Sequence, residues 1–241
     1  MGEDAKGWWP RARPDLGAIM RRVLGDEAYA RWHIRWLEMR SNRRTFSEIY
    51  RNNLWRSDES VSGAGSTLEL SAAIRGQLPT ILAELHVQTL LDVGCGDFNW
   101  LKTVDLGDVQ YCGIDVVDEL IRRNIEFYAS AERTFMVADI TRDRLPAADA
   151  VLCRHCLIHL SNRQIKSALS NLAATGAKYL LATTSPRVTF NHDIWPGSFR
   201  PVNLTIAPFD LPQPERLLND SRLDMQQPEL GLWRFAELKR A

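Results

Sequence analysis

The stretch Leu90-Leu91-Asp92-Val93-Gly94-Cys95-Gly96-Asp97-Phe98-Asn99-Trp100 decides the fold that we expect for this chain. Its apolar run ends at Asp92 and two glycines follow, a pattern typical of a buried strand that turns sharply into a helix. Glycine lets the backbone pass close to a ligand and adopt torsions that other residues avoid. Unpaired N–H groups at the helix start then face that ligand. The stretch predicts a ligand-binding turn, although such a turn taken alone is also compatible with an ordinary connection.

Two further β-like runs also end in a carboxylate, which strengthens the prediction. The second run ends at Asp115, twenty-three residues after Asp92. An acid at the end of a second strand is placed to accept hydrogen bonds from both hydroxyls of a ribose. The third run carries Asp139, which can accept from an exocyclic adenine amine, and Ile140, which can pack on the ring.

With these three features, the chain resembles the class I S-adenosylmethionine-dependent methyltransferases. Asp92, Gly94 and Gly96 match the family's first motif of an acid and alternating glycines, whereas Phe98 replaces the third glycine. The resemblance covers residues 60–185 well and the rest loosely. It implies S-adenosylmethionine as cofactor and S-adenosylhomocysteine as product. The cofactor-binding residues that it implies on these strands are Asp92, Gly94, Gly96, Asp115, Asp139 and Ile140.

A polar, Gly/Ser-rich segment, residues 56–66, precedes the first motif. In the methyltransferases that this chain resembles, such a segment closes over the amino-acid end of the cofactor. The resemblance implies that Gly65 and Ser66 hold the cofactor carboxylate and that Arg75 pairs with it. Trp55 would cover the methionine portion, because an aromatic face attracts a sulfonium cation. The alternative is a plain linker.

Length and composition limit the chain to one sizeable α/β domain with an extension, since it has 241 residues of which 45% are apolar. Lys+Arg and Asp+Glu are equal at 30 each, but residues 1–56 carry 12 basic and 7 acidic side chains. This basic segment either meets an anionic substrate or is a solvated helical face. Overall neutrality argues against a grip on many phosphates, so we expect no stable nucleic-acid partner.

The four cysteines lie in or beside apolar runs and are expected to be small buried hydrophobes in a reducing, cytoplasmic compartment. Cys153 and Cys156 have the spacing of a metal or redox pair. No second pair of ligands follows at zinc-finger spacing, so we expect no metal. We see no secretory signal and no run of about 18 apolar residues, and we expect no membrane association.

The chain divides into a predicted N-terminal helical extension or lid, residues 1–60, and a methyltransferase domain, residues 61–241. Apolar residues recur at helical spacing over residues 15–41, and a further short helix is indicated between Phe46 and Leu54. The many aromatic side chains here favour a helical layer packed on the main domain over a ligand stack.

Strands and helices alternate from Leu90 onward, which predicts an α/β, Rossmann-like, doubly wound and mostly parallel sheet. The alternating segment 231–238 is expected to be an antiparallel edge strand. The predicted strands are 89–93, 110–115, 134–138, 149–154 and 177–184, and the predicted helices are 68–85, 98–104, 117–128, 161–173 and 212–221.

Ligands bind beyond the carboxyl ends of the strands in such sheets. The fourth strand therefore delivers Arg154, as a cofactor-binding residue, and His155 beside the donor methyl group. His155 is the predicted general base for a hydroxyl acceptor, because histidine titrates near neutral pH. His159, one helical turn later, is the reserve candidate. The alternative for both histidines is packing.

The long loop after the fifth strand is rich in proline, aromatic and polar residues and is predicted to be a substrate-facing wall. The alternative is a structural loop at the sheet edge. Its polar substrate-binding candidates are Asn191, His192, Asp193, Arg200 and Asn203.

The leading interpretation is methyl transfer to a hydroxyl or amine of a small molecule, such as a natural product, a sugar or another metabolite. Methylation of RNA or of a protein side chain is the second. No Asn-Pro-Pro-Tyr or Asp-Pro-Pro-Tyr run follows the fourth strand, which argues against methylation of base amino groups. A cofactor-binding scaffold without catalysis is the third.

Overall fold

One mixed sheet forms the centre of the protein. The structure, a computed structural model, describes residues 41–220 and 228–238, together with Gly25. Residues 41–60, the last part of the predicted extension, belong to the same compact unit as the sheet. The helices predicted over residues 15–41 lie outside the described residues, apart from Gly25 and Ser41, so the division of the chain at residue 60 stays a prediction.

The sheet contains seven strands in its described part, in the order β3-β2-β1-β4-β5-β7-β6. The first five strands run parallel, β7 runs antiparallel to β5, and β6 runs antiparallel to β7. The strands are β1 (Thr89–Val93), β2 (Gln110–Asp115), β3 (Arg133–Val137), β4 (Ala150–Cys153), β5 (Tyr179–Thr184), β6 (Arg216–Asn219) and β7 (Glu229–Arg234). This arrangement confirms the predicted Rossmann-like sheet.

Two of the described helices connect successive parallel strands, Asp118–Tyr128 between β2 and β3 and Asn162–Ala173 between β4 and β5. The helix Asn162–Ala173 begins one residue later than predicted, where Ser161 and Gln164 form a capping box that satisfies N–H groups at its start. The helices are α1 (Asn42–Arg51), α2 (Ala72–Glu84), α3 (Asp118–Tyr128), α4 (Asn162–Ala173) and α5 (Phe235–Leu238), with 3₁₀ turns at Ala64–Ser66, Leu101–Thr103 and Leu157–His159.

The helix predicted over 98–104 shrinks to the 3₁₀ turn Leu101–Thr103. Phe98 has a φ of +58°, in the left-handed region, so a right-handed helix cannot begin there. The Phe98 ring is buried against Tyr111 and Phe135, with ring centroids 5.1 and 5.2 Å away. Packing of this ring therefore overrides the helical pattern at the end of the glycine turn.

The helix predicted over 212–221 is wrong, because Arg216–Asn219 form strand β6. Its residues pair with β7 from Arg216 opposite Leu232 to Asn219 opposite Glu229. This pairing partner is remote in sequence, and Pro212 and Pro214 before the strand lack the N–H groups that a helix would use. Because β6 is the outermost strand, β7 is not at the edge as predicted but lies between β5 and β6.

The central strands carry the core. Leu91, Val151 and Leu180 have no exposed surface, as expected for parallel strands that are covered on both faces. The carboxyl ends of β1, β2, β3 and β4 consequently meet at one edge of the sheet. In the described part of the chain, no helix combines the length and the apolar character needed to cross a bilayer.

Candidate active site

A cavity of about 820 Å³ opens at the carboxyl ends of the first four strands. Strand ends supply one side, and α1 and the segment after it supply the other. The lining residues that the sequence singles out are Trp55, Ser66, Gly94, Gly96, Asp115, Asp139, Ile140, Arg154, His155 and His159.

The glycine turn after β1 is shaped so that only glycine fits. Gly94 and Gly96 have φ values of +72° and +58°, which side chains rarely adopt. A Cβ at Gly94 would lie 2.8 Å from the Sγ of Cys156, and one at Gly96 would lie 2.2 Å from the Oγ of Ser62. The turn therefore brings bare backbone to the cavity wall, as a dinucleotide-like ligand requires.

Asp115 closes the turn from the end of β2. Its Oδ2 accepts a hydrogen bond from the Gly96 N–H at 3.2 Å, and its Oδ1 accepts from the Val117 N–H at 3.0 Å. Each carboxylate oxygen has capacity for a second donor, so the two hydroxyls of a ribose can still be held. Burial raises the pKa of Asp115, and the backbone donors oppose that rise.

Asp139, at the end of the β3 region, already receives protein donors. The side-chain amide of Asn42 donates to both carboxylate oxygens, at 3.0 and 3.1 Å. Thr141 donates through its backbone N–H and its hydroxyl at 3.0 and 2.7 Å, and Arg142 lies 3.3 Å from Oδ2. Asn42 already donates to both carboxylate oxygens. The predicted hydrogen bond from an adenine amine to Asp139 thus requires Asn42 to give up one of its two hydrogen bonds.

Asp92 does not reach the wall of this cavity. It is 3% exposed and accepts a 2.8 Å hydrogen bond from the hydroxyl of Tyr111 on β2. Burial raises the pKa of Asp92 to about 7, and the Tyr111 hydroxyl opposes that rise. The Asp92 carboxyl is therefore buried at the end of β1 and does not line the cavity with the other predicted cofactor-binding residues.

Only some of the residues predicted to hold the amino-acid end of the cofactor line the cavity. Trp55 and Ser66 line it. Arg75 does not, because its guanidinium donates to the Leu68 carbonyl at 2.9 Å and to the Thr103 hydroxyl at 3.2 Å, along α2. Arg154 is the cation that lines the cavity, and its Nη2 is buried with no hydrogen-bond partner among the described residues.

His155 lies between a buried carboxylate and the glycine segment. Its Nε2 is 2.9 Å from Oδ2 of Asp220, in ion-pair contact but too oblique for a hydrogen bond. Oδ1 of Asp220 accepts from Nε of Arg154 at 2.5 Å. Burial alone would raise the pKa of Asp220, but His155 and Arg154 outweigh burial and lower it to about 2. Asp220 is therefore a permanent anion behind the imidazole.

The free edge of the His155 ring faces Gly65. A Cβ at Gly65 would lie 2.3 Å from Nδ1 and 2.7 Å from Cε1 of this ring. The backbone of His155 is left-handed, with a φ of +51°, and its N–H donates to the Thr183 hydroxyl at 2.8 Å. Strained backbone of this kind is concentrated at functional sites. Burial and Arg154 lower the pKa of His155 against the opposing effect of Asp220, so the ring is neutral near pH 7.

His159 is held in one tautomer. Its Nδ1 is 2.8 Å from the carbonyl oxygen of Ser198, which can only accept, so Nδ1 carries the proton and Nε2 has a free lone pair. The ring stacks on Trp55, with centroids 4.8 Å apart and planes at 28°. Burial lowers the pKa of His159 to about 4, although the Ser198 carbonyl opposes that shift.

A second cavity, of about 970 Å³, adjoins the first. The two share Trp55, Ser62, His155 and His159 on their walls, so both histidines stand at the junction. The remaining described residues around the second cavity are Gly63, Ala64, Gly65, Ile158, Thr183, Ser185, Phe199, Pro201 and Pro228. A donor in the first cavity and an acceptor in the second would meet between the histidines.

None of the five predicted substrate-binding residues lies on the described wall of either cavity. Asn191 is buried and donates to the carbonyls of Asn203 and Ala207 at 2.8 and 3.0 Å. Asn203 bonds to the carbonyls of the same loop. Arg200 is 1% exposed and donates to the His192 carbonyl and the Asn162 side chain.

Asp193, the fourth of these residues, accepts from the Asn162 N–H at the start of α4, at 2.7 Å. His192 is exposed and lines neither cavity, and its carbonyl accepts from Arg200. These polar groups tie the loop together because its backbone lacks regular pairing. The loop meets the second cavity through Phe199 and Pro201 instead, so the prediction of a polar wall is corrected to an apolar one.

Three contacts of the site were not predicted from the sequence. Asn42 bonds to Asp139, Gly65 lies against the ring of His155, and Asp220 pairs with His155. Asn42 follows a helix-capping serine, and Asp220 follows a strand that reads as a helix, so neither shows a catalytic spacing. Gly65 was expected to contact the cofactor only. The signal for Asp220 is its position as an acid directly after a strand, and that signal depends on recognising β6.

Comparison with known proteins agrees with this geometry. Residues 90–176, from β1 through α4, match the family described as "Methyltransferase domain". These residues form a methyltransferase domain. Its fold is that of the class I, S-adenosylmethionine-dependent methyltransferases. No curated protein matches the chain in sequence.

Solved structures share the fold of the methyltransferase domain at low sequence identity. Magnesium protoporphyrin IX methyltransferase from Synechocystis PCC 6803, with bound S-adenosylmethionine, is 16% identical over 93% of this chain and 99% of its own, with a TM-score of 0.51. The PH0226 protein from Pyrococcus horikoshii OT3 is 15% identical over 68% and 89%, with a TM-score of 0.50. The chain covers 65% of the methyltransferase domain of bacterial CtHen1-C, at 17% identity over 47% of this chain and a TM-score of 0.42.

Proposed function

We propose that the protein transfers a methyl group from S-adenosylmethionine to a hydroxyl or amine of a small molecule. The observation that carries the proposal is the pair of adjoining cavities with His155 and His159 at their junction. When bound, S-adenosylmethionine supplies an electrophilic methyl group on a positively charged sulfur. The chain's own residues have to hold that donor, align the acceptor and receive its proton.

The residues of the first cavity fit such a donor. The glycine turn leaves backbone room that a Cβ would fill, and Asp115 keeps acceptor capacity for two ribose hydroxyls. Ile140 offers an apolar surface for a ring, and the unpartnered Nη2 of Arg154 offers a donor to an anionic group. Trp55 gives an aromatic face for the sulfonium charge.

His155 is the general base in this proposal. Asp220 stands at its Nε2, so Nδ1 is the nitrogen that takes a proton, and the neutral ring is ready to do so at pH 7. Positioned general bases contribute about 10²–10⁴-fold to rate. His159 presents its Nε2 lone pair at the same junction and stays the second candidate.

The described part of the predicted lid supports a roof over the donor cavity. Asn42, Phe46 and Tyr50 on α1, together with Trp55, line that cavity. Helix α1 also pairs with α3 through Arg51 and Glu119, at 2.5 Å. We propose that residues 41–60 cover the donor and exclude water from the junction.

Methylation of RNA or a protein side chain is the alternative, and a non-catalytic scaffold is the third candidate. One experiment separates them. The purified full chain is titrated with S-adenosylhomocysteine by calorimetry, and labelled S-adenosylmethionine is then offered with a metabolite extract, total RNA or total protein. Binding with label in the metabolite fraction supports the proposal. Label only in RNA or protein, or binding without any transfer, overturns it.

A further inference from the structure

The residues that line the second cavity indicate which class of acceptor fits there. Among the described residues that line it, none is Asp, Glu, Lys or Arg. Among the described residues of its wall, the titratable groups are His155 and His159, and both are neutral near pH 7 because burial lowers their pKa values. The charges of Arg154 and Asp220 behind His155 compensate each other through their ion pair. A carboxylate or phosphate in this cavity would lose water and gain no charged partner from the described residues that line it.

The wall is instead aromatic and apolar. His159 lies between Trp55, at 4.8 Å, and Phe199, at 6.1 Å between ring centroids. Pro201 and Pro228 add further apolar surface. Flat rings gain from stacked or edge-on contact with such a surface beyond the area that they bury.

The polar side chains at this cavity are largely engaged within the protein. The Thr183 hydroxyl accepts from the His155 N–H, and the Ser62 hydroxyl is bonded to Asp97. A sugar or another acceptor with many hydroxyls would therefore find few partners for them. The free imidazole nitrogens at the junction can serve a single hydroxyl.

We infer that the acceptor is an uncharged aromatic alcohol, a phenol, whose ring packs against Phe199, Pro201 and Pro228 while its hydroxyl points to His155. This inference rests on the proposed function and names its substrate class. A bond forms between the phenol oxygen and the methyl carbon, and the carbon–sulfur bond breaks with its electron pair going to sulfur. The phenol proton goes to Nδ1 of His155 and from there to solvent. The products are the aryl methyl ether, S-adenosylhomocysteine and one proton.

The acidity of the hydroxyl agrees with this class. A phenol has a pKa of about 10, as in tyrosine, far below the value of 15.7 for water, which an aliphatic alcohol resembles more closely. The imidazoles at the junction are weaker bases than free histidine, since burial lowers the pKa of each. A weak base can assist an acidic hydroxyl and gives little help to an aliphatic one.

The test compares acceptors of matched size. Binding of catechol, phenol, cyclohexanol, benzoate, phenyl phosphate and benzylamine to the S-adenosylhomocysteine complex is measured by tryptophan fluorescence and calorimetry. Methyl transfer from labelled S-adenosylmethionine is measured on the same compounds. We expect the two phenols to bind at least about tenfold more tightly than cyclohexanol, and to be the compounds that are methylated. Benzoate and phenyl phosphate should bind more weakly still.

A variant and its matched control test whether phenol binding depends on Phe199 at the second cavity. Phe199 is 64% exposed at the rim, so Phe199→Ser should fold and should weaken phenol binding by roughly tenfold, with unchanged affinity for S-adenosylhomocysteine. Phe190→Ser changes another exposed phenylalanine of the same loop, 74% exposed, that lines neither cavity, and it should leave phenol binding unchanged.

Three outcomes overturn the inference. The first is equal or tighter binding of cyclohexanol or a charged compound, the second is preferred methylation of benzylamine, and the third is an equal loss of phenol binding in both variants. Methylation of another small molecule would leave the proposed function intact. If the protein does not bind S-adenosylhomocysteine, that result contradicts the proposed function itself, and this inference with it.

Discussion

The side-chain amide of Asn42 bridges both carboxylate oxygens of Asp139, a residue ninety-seven positions away in the chain. The Asn42 carbonyl oxygen accepts from Gln164 at 2.8 Å, which fixes the amide in this orientation. Gln164 in turn caps α4 with Ser161. A single amide thus joins α1, the end of β3 and the start of α4 at the wall of the donor cavity.

Replacing Asn42 by alanine should destabilise the fold. The change leaves the Asp139 carboxylate, 4% exposed, with fewer donors, and such losses cost about 1–3 kcal/mol. Urea unfolding of Asn42→Ala against wild type measures the difference. Arg43→Ala, at an exposed position of the same helix, is the control. A change in Asn42→Ala no larger than in the control would show that this bridge does not stabilise the fold.

Replacing Asp115 by alanine should weaken donor binding. Each hydrogen bond to a charged group contributes about 1.5–3 kcal/mol, so affinity for S-adenosylmethionine should fall between roughly tenfold and a hundredfold. Calorimetry on Asp115→Ala and Asp115→Asn provides the measurement. Asp118→Ala, an exposed residue at the start of α3, should bind as wild type does. Unchanged affinity in both Asp115 variants would rule out the ribose contact.

Replacing Gly65 by alanine should displace the His155 ring and lower turnover without changing the affinity for the donor. The new Cβ would stand 2.3 Å from Nδ1 of His155 and displace the ring, and a displacement of about 1 Å can reduce turnover about 10²-fold. Affinity for S-adenosylhomocysteine should stay within about twofold of wild type, since Gly65 lines only the second cavity. Gly76→Ala, where nothing lies within 4 Å of the added Cβ, is the control. Full turnover in Gly65→Ala would place the reacting base elsewhere.

Replacing His155 by alanine should remove the acidic limb of the pH–rate profile on a hydroxyl acceptor. The wild-type rate should fall as pH drops below the lowered pKa of His155, hence below 6.5, because the protonated ring cannot accept a proton. Turnover of His155→Ala should be lower by about 10²–10⁴-fold. His192→Ala alters an exposed histidine away from both cavities and should keep the wild-type profile. If His159→Ala alone loses the limb, His159 is the base.

Replacing Asp92 by asparagine should stabilise the protein in a pH-dependent way. The folded pKa of Asp92, about 7, lies above its usual value of 3.8, so the protonated form stabilises the fold at low pH. That contribution is full below pH 3.8 and is lost as pH rises through 7. The asparagine variant does not ionise, so its advantage over wild type should grow from pH 4 to 7 and then level off.

The size of this Asp92 effect is at most about 4 kcal/mol, and the Tyr111 hydroxyl can still donate to the asparagine carbonyl. Urea unfolding at pH 5 and pH 8 measures it. Asp108→Asn, at an exposed position before β2, should show no such difference between the two pH values. An equal effect of Asp92→Asn at both pH values would contradict the raised pKa.

Local patterns were sufficient for much of the sheet and for part of the site. The strands β1, β2 and β5 begin and end within two residues of prediction, because apolar runs bounded by acids and glycines are local signals. The placement of Asp115, Ile140, Arg154 and His155 at one cavity follows from their positions at strand ends. The predicted loop residues Asn191 and Arg200 line neither cavity and instead bond to buried groups of the protein, because polar loop residues serve buried backbone equally well.

What the sequence by itself determined was the order of the five parallel strands β1 to β5, the glycine turn and the histidine after β4. Each depends on spacings of a few residues, which a chain carries without its tertiary contacts. The tertiary structure alone decided that Arg216–Asn219 pair as a strand, that Asp220 stands against His155, and that Asn42 reaches Asp139. These partners are separated by tens of residues, so their contacts depend on how sheet and helices pack and leave no periodic signal in the chain.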